Sequence, residues 1–567
     1  MLYLKVRNNI ELSSDLKLAE REIRHLCGDF IPVTLKNAKE AVPFIPYENV
    51  TSFTRENGII GYVVKQSKVT PKELVRYLSF VQEIWCIKDD MTLPNNNYSM
   101  TVGNVKCVIP LMAMSEMLFY CSNVDTTTVR LLLMVLTLKT SSKDIEKSIC
   151  RTITSTPHVH SFHTYKAKFF PRFVRSLIVS NLNLGNENNS ICDPYVGSGT
   201  TLVESSLMGF QSYGIDIDPL SCMISRVKAD ALDWKLKDVA YTLNFDQVND
   251  IEEEGIQYQF PSEIQRKFER WDSKEEGIEY ESQITKELQR ISKEDGILLE
   301  LDKISLSDAL TKKFNIRMMG TGSGRFALDI AKKPLQTILD SNYKNQTKAI
   351  FVLSLLRELY DIEPRRAIVE NGDAVSRNYH EDSFDIIVTS PPYLPASSGR
   401  EDYVVGKLIS LKAMGLLGEN GKEEFTSKSV GSMDNHKEGV ELSSLPNSVR
   451  ELYDWLMHDD LRRIKAAPIV SYYNSLKESL KEDKRTIKDS GKIIYIIGKE
   501  SVFYSMSTKE ILYKVECDKI FEEIAQMVGL KINEVIDIEL DKKSAVARPR
   551  STDKYYECAI VMSKGVA

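Results

Sequence analysis

The sequence predicts an α/β protein built on a doubly wound, Rossmann-like parallel sheet, preceded by an α+β module and interrupted by a large insertion. Two observations support this prediction. A strand, a glycine-rich turn, a helix and a second strand follow one another over residues 190–219, and strand-like segments alternate with helical ones again after residue 365. The chain has 567 residues. Because domains usually hold about 100–200 residues, we expect three or four structural units.

Composition places the chain among folded globular proteins. Hydrophobic residues make up 42% and charged residues 27% of the sequence, which excludes a mainly disordered or collagen-like chain. The longest apolar stretches are too short or too interrupted for a bilayer span of about 20 residues. The N-terminus lacks a basic segment followed by an apolar run. We therefore expect a cytoplasmic protein without a membrane segment.

Cysteine usage and net charge exclude some site types and leave the partner open. The nine cysteines include no Cys-x-x-Cys pair, so neither a disulfide framework nor a zinc site is expected. The 74 basic and 80 acidic residues give a net charge of -6. A local basic groove can coexist with this overall charge, so net charge does not identify the partner.

Residues 1–149 are expected to form an α+β module, for which nucleic-acid binding is one role. A helical periodicity begins at Leu16, and Thr70 with the following proline predicts the start of a second helix. A polar connector after Lys139 places the module boundary near residue 150. The predicted elements are the strands Leu2–Val6 and Gly58–Val64 and the helices Leu16–Leu26, Pro71–Val81 and Asp125–Lys139.

Residues 150–234 are expected to bind a nucleoside-containing ligand. The turn Asp193-Pro-Tyr-Val-Gly-Ser-Gly-Thr-Thr201 lies between an apolar strand and an amphipathic helix. Glycines there let the backbone approach a ligand and leave the amides at the helix N-terminus facing it. Asp216 ends the next strand, where an acid can accept both ribose hydroxyls. The alternative is a structural turn followed by a capping acid.

Residues 235–364 interrupt the α/β pattern and are expected to form an inserted region. The pattern resumes over residues 365–567, with a second polar interruption at about 394–465. The last part of the chain completes the alternating sheet. Its predicted elements are the strands Ala367–Asp373, Phe384–Val388, Gly491–Gly498, Glu534–Leu540 and Tyr555–Met562 and the helix Tyr472–Leu480.

The segment Thr389-Ser-Pro-Pro-Tyr393 directly follows an apolar strand. Two prolines fix their own φ and cannot donate to a sheet ladder, so they predict a rigid turn at the strand's carboxyl end. Ligand sites of α/β sheets lie at that end, so Tyr393 is expected to face the cleft. A linker or a WW-domain ligand is the alternative, and the preceding buried strand favours the site.

Both motifs, in this order, resemble those of the S-adenosylmethionine-dependent amino-methyltransferases of DNA, D-P-[FY]-x-G-S-G-T-T and [DNS]-P-P-Y. The serine form at Ser390 is similar to the cytosine-N4 branch of that family. The segment His163–Pro171 resembles H-x-Y-x-A-K-F-x-P, which closes over the methionine part of the cofactor. Gly399–Tyr403 and Ser429–Ser432 look like the polar segment that follows the catalytic loop.

The resemblance implies a class I methyltransferase sheet, S-adenosylmethionine as cofactor, double-stranded DNA as partner and no metal. It implies transfer of a methyl group to the N4 amine of cytosine after base flipping, and it allows a cognate restriction enzyme. Asp216 would bind the ribose hydroxyls and Asp373 the adenine amino group. The cofactor-binding residues that it implies are Tyr165, Ala167, Lys168, Phe169, Asp193, Pro194, Tyr195, Gly197, Gly199, Thr200, Thr201, Asp216, Ile217, Asp373 and Ala374.

The catalytic residues that the resemblance implies are Ser390, Pro391, Pro392 and Tyr393. Ser390 and the carbonyl of Pro391 would accept hydrogen bonds from the target amine, and Tyr393 would stack on the flipped base. Methylation at cytosine carbon 5 would need a cysteine nucleophile. That loop contains no cysteine, and we expect Cys192 to be a core residue.

Three other functions stay open at this point: an adenine-N6 DNA methyltransferase, a THUMP-type tRNA guanine-N2 methyltransferase, and a binding protein that has lost catalysis. An intact glycine turn and an intact Tyr393 argue against the last of these. The string His158, His160, His163 has no acidic or cysteine companion at ligand spacing in the sequence, so no metal site is predicted.

The inserted region is expected to recognise the target sequence. It contains Gly320–Gly324, which resembles a phosphate-binding turn but does not follow a clear buried strand in the sequence and lacks the lysine of such turns. We interpret it as a loop. Its basic neighbours either contact DNA phosphates or form a solvated face; they are Lys312, Lys313, Arg317 and Arg325.

Overall fold

The computed structural model describes most of the chain, and every structural statement below concerns the described residues. These are residues 1–7, 10, 12–45, 58–87, 99–102, 105–121, 157–165, 168–186, 188–234, 256–318, 326–394, 405–418, 421, 427–430, 441–505, 507–508, 510–539 and 555–565. In these ranges, no helix combines the length and apolar character needed to cross a membrane.

The N-terminal module is a six-stranded antiparallel sheet with helices packed on it. The strand order is β2-β3-β1-β4-β6-β5. Its elements are β1 (Leu2–Val6), α1 (Ser13–Cys27), β2 (Phe30–Thr34), α2 (Ala38–Ala41), β3 (Ile59–Val64), α3 (Pro71–Tyr77), β4 (Val81–Ile87), β5 (Ser99–Val102), β6 (Val105–Val108) and α4 (Leu111–Cys121). Side chains alternate between the two faces of β1: Leu2 and Leu4 join the core beneath α1, and Tyr3 joins a separate cluster with Trp85.

The predicted start of α3 is confirmed in detail. Thr70 accepts a hydrogen bond from the backbone of Glu73, whose carboxylate accepts one from the backbone of Thr70, which is a capping box. The predicted end at Val81 is wrong, because α3 ends at Tyr77 and Val81 begins β4. The predicted helix Asp125–Lys139 lies outside the described residues.

The second sheet has seven strands in the order β11-β8-β7-β12-β13-β17-β16. Neighbours are parallel from β11 to β13, whereas β17 runs antiparallel to both β13 and β16. The strands are β7 (Ser190–Asp193), β8 (Gln211–Asp216), β11 (Ile368–Asn371), β12 (Phe384–Thr389), β13 (Ile487–Gly498), β16 (Leu530–Glu539) and β17 (Tyr555–Lys564). The prediction of a doubly wound, Rossmann-like α/β sheet is confirmed.

Helices cover both faces of this sheet, which explains why its central strands are almost continuously apolar. Along β13, Ile494 and Ile496 join the core that includes Leu177, whereas Ile493 and Tyr495 join the core that includes Leu476 on the other face. The helices and the remaining ribbon around the sheet are α5 (Pro171–Val179), α6 (Thr200–Met208), α7 (Pro219–Asp230), α12 (Leu408–Ala413), α13 (Asn447–Met457), α14 (Ala466–Thr486), β14 (Glu500–Tyr504), β15 (Ile511–Glu516) and α15 (Cys517–Met527).

The inserted region forms a separate apolar core to which α12 also contributes, and two of its helices reach the centre of the molecule. Ile304 of α10 and Ile350, Leu353 and Leu356 of α11 belong to the core between the N-terminal module and the seven-stranded sheet. The elements of the insertion are α8 (Ser262–Arg270), α9 (Lys274–Ile291), α10 (Gly296–Lys313), β9 (Phe314–Met318), β10 (Phe326–Ile330) and α11 (Leu335–Tyr360).

The segment before Gly320–Gly324 differs from the sequence-based expectation. β9 precedes it and pairs antiparallel with β10, with the side chains of Phe314 and Ile316 buried. A strand of only five residues that ends in Arg317 and Met318 carries little strand signal in the sequence. The glycine-rich residues themselves lie outside the described ranges.

The N-terminal module is docked on the seven-stranded sheet's helices and edge. The Arg175 guanidinium of α5 donates to the carbonyl oxygen of Arg76 at 2.6 Å. At the other end of the contact, the Ser13 hydroxyl donates to Glu539 of β16 at 2.7 Å, and Arg21 forms an ion pair with Glu534. These contacts hold the module on the α5 side of the sheet.

Candidate active site

The candidate site lies at the topological switch point of the seven-stranded sheet, between β7 and β12. β7 and β12 are neighbours, and the strands that follow β7 extend one way while those that follow β12 extend the other. Crevices at such switch points are the usual ligand sites of doubly wound sheets. Here the Thr389 hydroxyl donates to the Asp193 carboxylate at 2.5 Å, which joins the two strand ends.

The glycine turn brings the N-terminus of α6 to this crevice. Gly197 has φ +48° and Gly199 has φ +76°, conformations that strongly favour glycine. A Cβ on Gly199 would lie 2.9 Å from the Cα of Ser225, so the turn also needs glycine for close packing on α7. The Gly197 amide donates to Asp216 Oδ2 at 2.9 Å, which links the turn to the end of β8.

Asp216 is the last residue of β8, and Asp373 follows the end of the adjacent strand β11. Asn371 of β11 pairs in register with Asp216 of β8, and its side-chain amide donates to the carbonyl oxygens of Asp216 at 2.9 Å and Ile217 at 3.1 Å. Asp373 follows Asn371 by two residues and accepts a hydrogen bond from the Val375 amide at 3.1 Å. The structure therefore places both predicted acids at the same edge of the sheet.

Burial changes the acidity of the two carboxylates nearest the crevice. Burial raises the pKa of Asp193 to about 6, although the hydrogen bond from Thr389 opposes this shift. Burial and the neighbouring Asp218 charge raise the pKa of Asp216 to about 6. Both groups are mostly ionised above neutral pH and can then accept hydrogen bonds.

The Pro-Pro-Tyr loop leaves the carboxyl end of β12 as predicted. Pro391 is buried and Tyr393 is half-buried. The Tyr393 hydroxyl donates to Glu557 Oε1 at 2.7 Å. Glu557 lies on β17 opposite Gly498, where β13 ends at the same edge of the sheet. Burial raises the pKa of Glu557, and the Tyr393 hydrogen bond opposes this. Sequence reasoning did not identify Glu557.

Tyr165, from the predicted segment His163–Pro171, packs beside the glycine turn. A Cβ on Gly197 would lie 3.5 Å from the Tyr165 hydroxyl oxygen, and this hydroxyl lies 3.0 Å from Ser221 Oγ. Lys168 donates to the carbonyl oxygen of His160 at 2.8 Å, and burial lowers the pKa of Lys168 to about 8. Phe169 packs against the central core. Ala167 lies outside the described residues.

Lys407 joins this arrangement from a distant part of the sequence. It ends a short 3-10 helix, Val405–Lys407, and pairs with the Asp218 carboxylate. Its ammonium also donates to the hydroxyls of Tyr165 and Ser221, at 3.1 Å each. Asp218 caps α7 through the Leu220 amide at 2.9 Å. Sequence reasoning missed Lys407, because no motif marks it.

The remaining predicted cofactor residues lie in the glycine turn or shortly after the ends of β8 and β11. Thr201 is fully buried, and Tyr195 packs against the core on the α14 side. Pro194, Thr200 and Ala374 are buried, and Ile217 is half-buried beside Asp216. Of the predicted polar segment after the catalytic loop, Gly399–Tyr403 lies outside the described residues.

The histidine string has an acidic neighbour that the sequence did not disclose. His158, His160 and Glu204 of α6 place their ligand atoms within 4.8 Å of one another, and all three residues are buried. Glu204 already forms an ion pair with Arg175 at 2.6 Å, in addition to the 2.8 Å contact with His160. Because Arg175 balances the Glu204 charge, we interpret this cluster as a buried ion-pair network and assign no metal to it.

Curated proteins with similar sequences are Type II methyltransferases. M.MjaII of Methanocaldococcus jannaschii is 32% identical over 160 residues, which is 28% of this chain and 27% of that protein. M.MvaI of Kocuria varians is 23% identical over 370 residues, 60% of this chain and 77% of that protein. M.BsoBI of Geobacillus stearothermophilus is 24% identical over 283 residues, 46% of this chain and 53% of that protein.

Family profiles and solved structures do not identify a family for the chain beyond these relatives. No known family profile matches the chain. S-adenosylmethionine-dependent methyltransferases from Methanosarcina mazei and Clostridium acetobutylicum superpose with TM-scores of 0.25 and 0.24 at 10% and 7% identity, covering 69% and 75% of this chain and 98% of each of those chains. These scores are too low to support an argument. By sequence, the chain is similar to the Type II methyltransferases.

Proposed function

We propose that the protein is an S-adenosylmethionine-dependent DNA methyltransferase that modifies the N4 amine of cytosine in duplex DNA. The observation that carries this proposal is the meeting of two elements in one crevice. The glycine turn with Asp216 and Asp373 lies at the carboxyl ends of β7, β8 and β11, and the loop from Ser390 to Tyr393 leaves the adjacent β12. The similarity to Type II methyltransferases supports the same reaction class.

The residues of the crevice fit an adenosyl cofactor. A backbone turn with two glycines at positive φ and the N-terminus of α6 lets a ligand approach the main chain closely. The Asp216 carboxylate lies where it can accept ribose hydroxyls, and Asp373 is placed to accept a hydrogen bond from the adenine amino group. When bound, the cofactor supplies an electrophilic methyl group on a sulfonium.

The protein's own contribution to transfer is positioning of the target amine. Ser390 and the Pro391 carbonyl would accept hydrogen bonds from the exocyclic nitrogen, which turns its lone pair out of conjugation with the ring. The two prolines stiffen this loop. The hydrogen bond from Thr389 to Asp193 holds the start of the loop against the end of β7, beside the glycine turn. Orientation of this kind can provide much of the rate enhancement.

A target base must leave the duplex to reach this loop, because its amine is otherwise paired. Tyr393 would stack on the flipped base. The hydrogen bond to Glu557 holds the phenol at its outer end, so the ring presents a fixed apolar face. Stacking on such a face contributes about 1–3 kcal/mol per base in single-strand binding proteins.

The test of this proposal is transfer of tritium from labelled S-adenosylmethionine to duplex DNA and to bulk tRNA. We expect label in DNA, and base analysis should assign it to N4-methylcytosine, as the serine at position 390 favours. N6-methyladenine as product would support the adenine alternative. Label in tRNA alone would replace the proposal with the guanine-N2 alternative. A restriction enzyme as partner belongs to the same proposal.

We also propose that residues 235–364 recognise the target sequence, since loops at the carboxyl ends of the strands surround the crevice. Neutralising Arg317 and Arg325 together should weaken binding to every duplex and flatten the salt dependence of affinity, while base preference persists. The measurement is a salt titration of binding to cognate and random DNA. An unchanged salt slope on both would move the assignment to residues 394–465.

A further inference from the structure

Lys407 is one cation that touches three parts of the candidate cofactor site. Its ammonium donates to Tyr165 and Ser221 at 3.1 Å each and pairs with Asp218. It also lies 4.4 Å from the centroid of the Tyr165 ring, a cation–π contact. Tyr165 precedes α5, Ser221 belongs to α7, and Lys407 follows Tyr393 in sequence, so three distant segments meet at this group.

We infer that Lys407 is a positioning residue for the ribose of the cofactor. Its positive charge offsets the repulsion between the neighbouring carboxylates of Asp216 and Asp218, so Asp216 stays ionised and can accept hydrogen bonds from the ribose hydroxyls. Lys407 pairs with Asp218 and acts on Asp216 through that pair. The inference rests on the proposed function, because it requires a ligand that carries a ribose.

The two carboxylates are held close together by the backbone. The Asp218 amide donates to Asp216 Oδ1 at 2.9 Å, so the turn after β8 fixes their separation. Burial and the Asp218 charge raise the pKa of Asp216, and the Lys407 charge opposes this rise. Burial lowers the pKa of Lys407, but the combined attraction of Asp218, Tyr165 and Asp216 outweighs burial and leaves the pKa above its ordinary value. Lys407 therefore stays charged beside the pair.

Two other titratable groups among the described residues interact with Asp216, and both are neutral near pH 7. Tyr165 approaches from the segment before α5, and burial raises the pKa of its phenol above the ordinary value. Cys222 approaches from α7, and burial with the Asp216 charge raises the pKa of its thiol to about 12. The balance at Asp216 consequently depends on Asp218 and Lys407.

Removal of Lys407 should raise the pKa of Asp216. Removing Lys407 removes an attraction that favours ionised Asp216, so the pKa of Asp216 rises further above about 6. Near neutral pH, Asp216 would then carry a proton and lose acceptor capacity. The ligand affinity should fall at neutral pH and recover as the pH rises. A purely structural role of Lys407 would cause a loss that is the same at every pH.

The experiment is calorimetric titration of the full chain with S-adenosylhomocysteine between about pH 6 and pH 9. We expect Lys407→Met to bind about tenfold more weakly at pH 7, the effect of a rise of about two units in the pKa of Asp216 from about 6, and to approach wild-type affinity at pH 9. Lys407→Arg keeps the charge and should stay within about threefold of wild type. A pH-independent loss, or no loss, would overturn the inference.

A second variant tests the charge argument directly. Asp218→Asn removes the like charge and keeps an acceptor for the Leu220 amide at the start of α7. Added to Lys407→Met, it should restore affinity at neutral pH, and further weakening would contradict the inference. If Lys407→Met does not fold, the single variant Asp218→Asn tests the inference. The affinity of the wild type for S-adenosylhomocysteine should fall as the pH is lowered, and in Asp218→Asn this fall should occur at a lower pH. A fall at the same pH in both proteins would contradict the inference.

The same titration distinguishes failure of the proposed function from failure of the inference about Lys407. A wild-type protein that does not bind S-adenosylhomocysteine at any pH overturns the proposed function, and the inference about Lys407 with it. A wild-type protein that binds normally, together with a Lys407→Met variant that keeps the wild-type pH profile, overturns only the inference.

Discussion

Replacing Tyr393 by alanine should reduce methyl transfer about a hundredfold or more and leave cofactor affinity within a few-fold. Ser390→Ala should have a similar effect. Both residues follow β12 and would contact the target base, whereas the glycine turn and the acids that would hold the cofactor follow β7, β8 and β11. The check combines single-turnover transfer to duplex DNA with calorimetric titration of S-adenosylhomocysteine.

Tyr393→Phe is the matched control for this experiment. It keeps the aromatic ring and removes the hydroxyl that donates to Glu557. One such bond contributes about 0.5–1.5 kcal/mol net, so turnover should fall by roughly tenfold at most. An equal loss of cofactor affinity in Tyr393→Ala would show that the loop belongs to the cofactor site. A Tyr393→Phe variant as impaired as alanine would assign the effect to the hydroxyl rather than to stacking.

Cofactor binding should be nearly abolished by Asp216→Ala and by Gly197→Val. Asp216→Ala removes a charged acceptor for two ribose hydroxyls; at about 1.5–3 kcal/mol per bond, affinity falls at least a hundredfold. Gly197 has φ +48°, where a β-branched residue is strained by about 1–3 kcal/mol, and a branched side chain also blocks the approach of a ligand to the turn. Titration with S-adenosylhomocysteine measures both effects.

Gly296→Val separates backbone strain from loss of the site. Gly296 has φ +52°, and among the described residues no neighbouring atom lies within 4 Å of the point where a Cβ would be. It lies at the start of α10 in the inserted region. This variant should lower thermal stability and leave cofactor affinity unchanged. Normal cofactor titration by Gly197→Val would show that the turn does not hold the cofactor.

The seven-stranded sheet could be anticipated because its signals are local. The apolar strand before Asp193, the two glycines and the acid at Asp216 follow one another within a single βαβ unit, so their order defines their geometry. The end of α3 was less predictable. Its last turn and β4 share an apolar stretch, and only pairing of β4 with β1 decides where the strand begins.

Glu557, Lys407 and Glu204 were invisible to sequence reasoning for a different reason. Glu557 lies 164 residues from its partner Tyr393, and Lys407 lies 242 residues from Tyr165. Each is a single charged side chain without a motif, and charged residues are usually solvent-exposed. Their roles arise only where strands and loops from separate parts of the chain meet.

Local sequence signals predicted the α/β class, the glycine turn, the acids at the strand ends and the position of the Pro-Pro-Tyr loop after a buried strand. These features depend on strand periodicity and on the φ preferences of glycine and proline, which act over a few residues. The tertiary structure alone decided that β7 and β12 are neighbours, that Tyr393 is held by Glu557 and that Lys407 sits beside Asp218. Such contacts join residues far apart in the chain, and their pairing depends on the packing of the whole sheet.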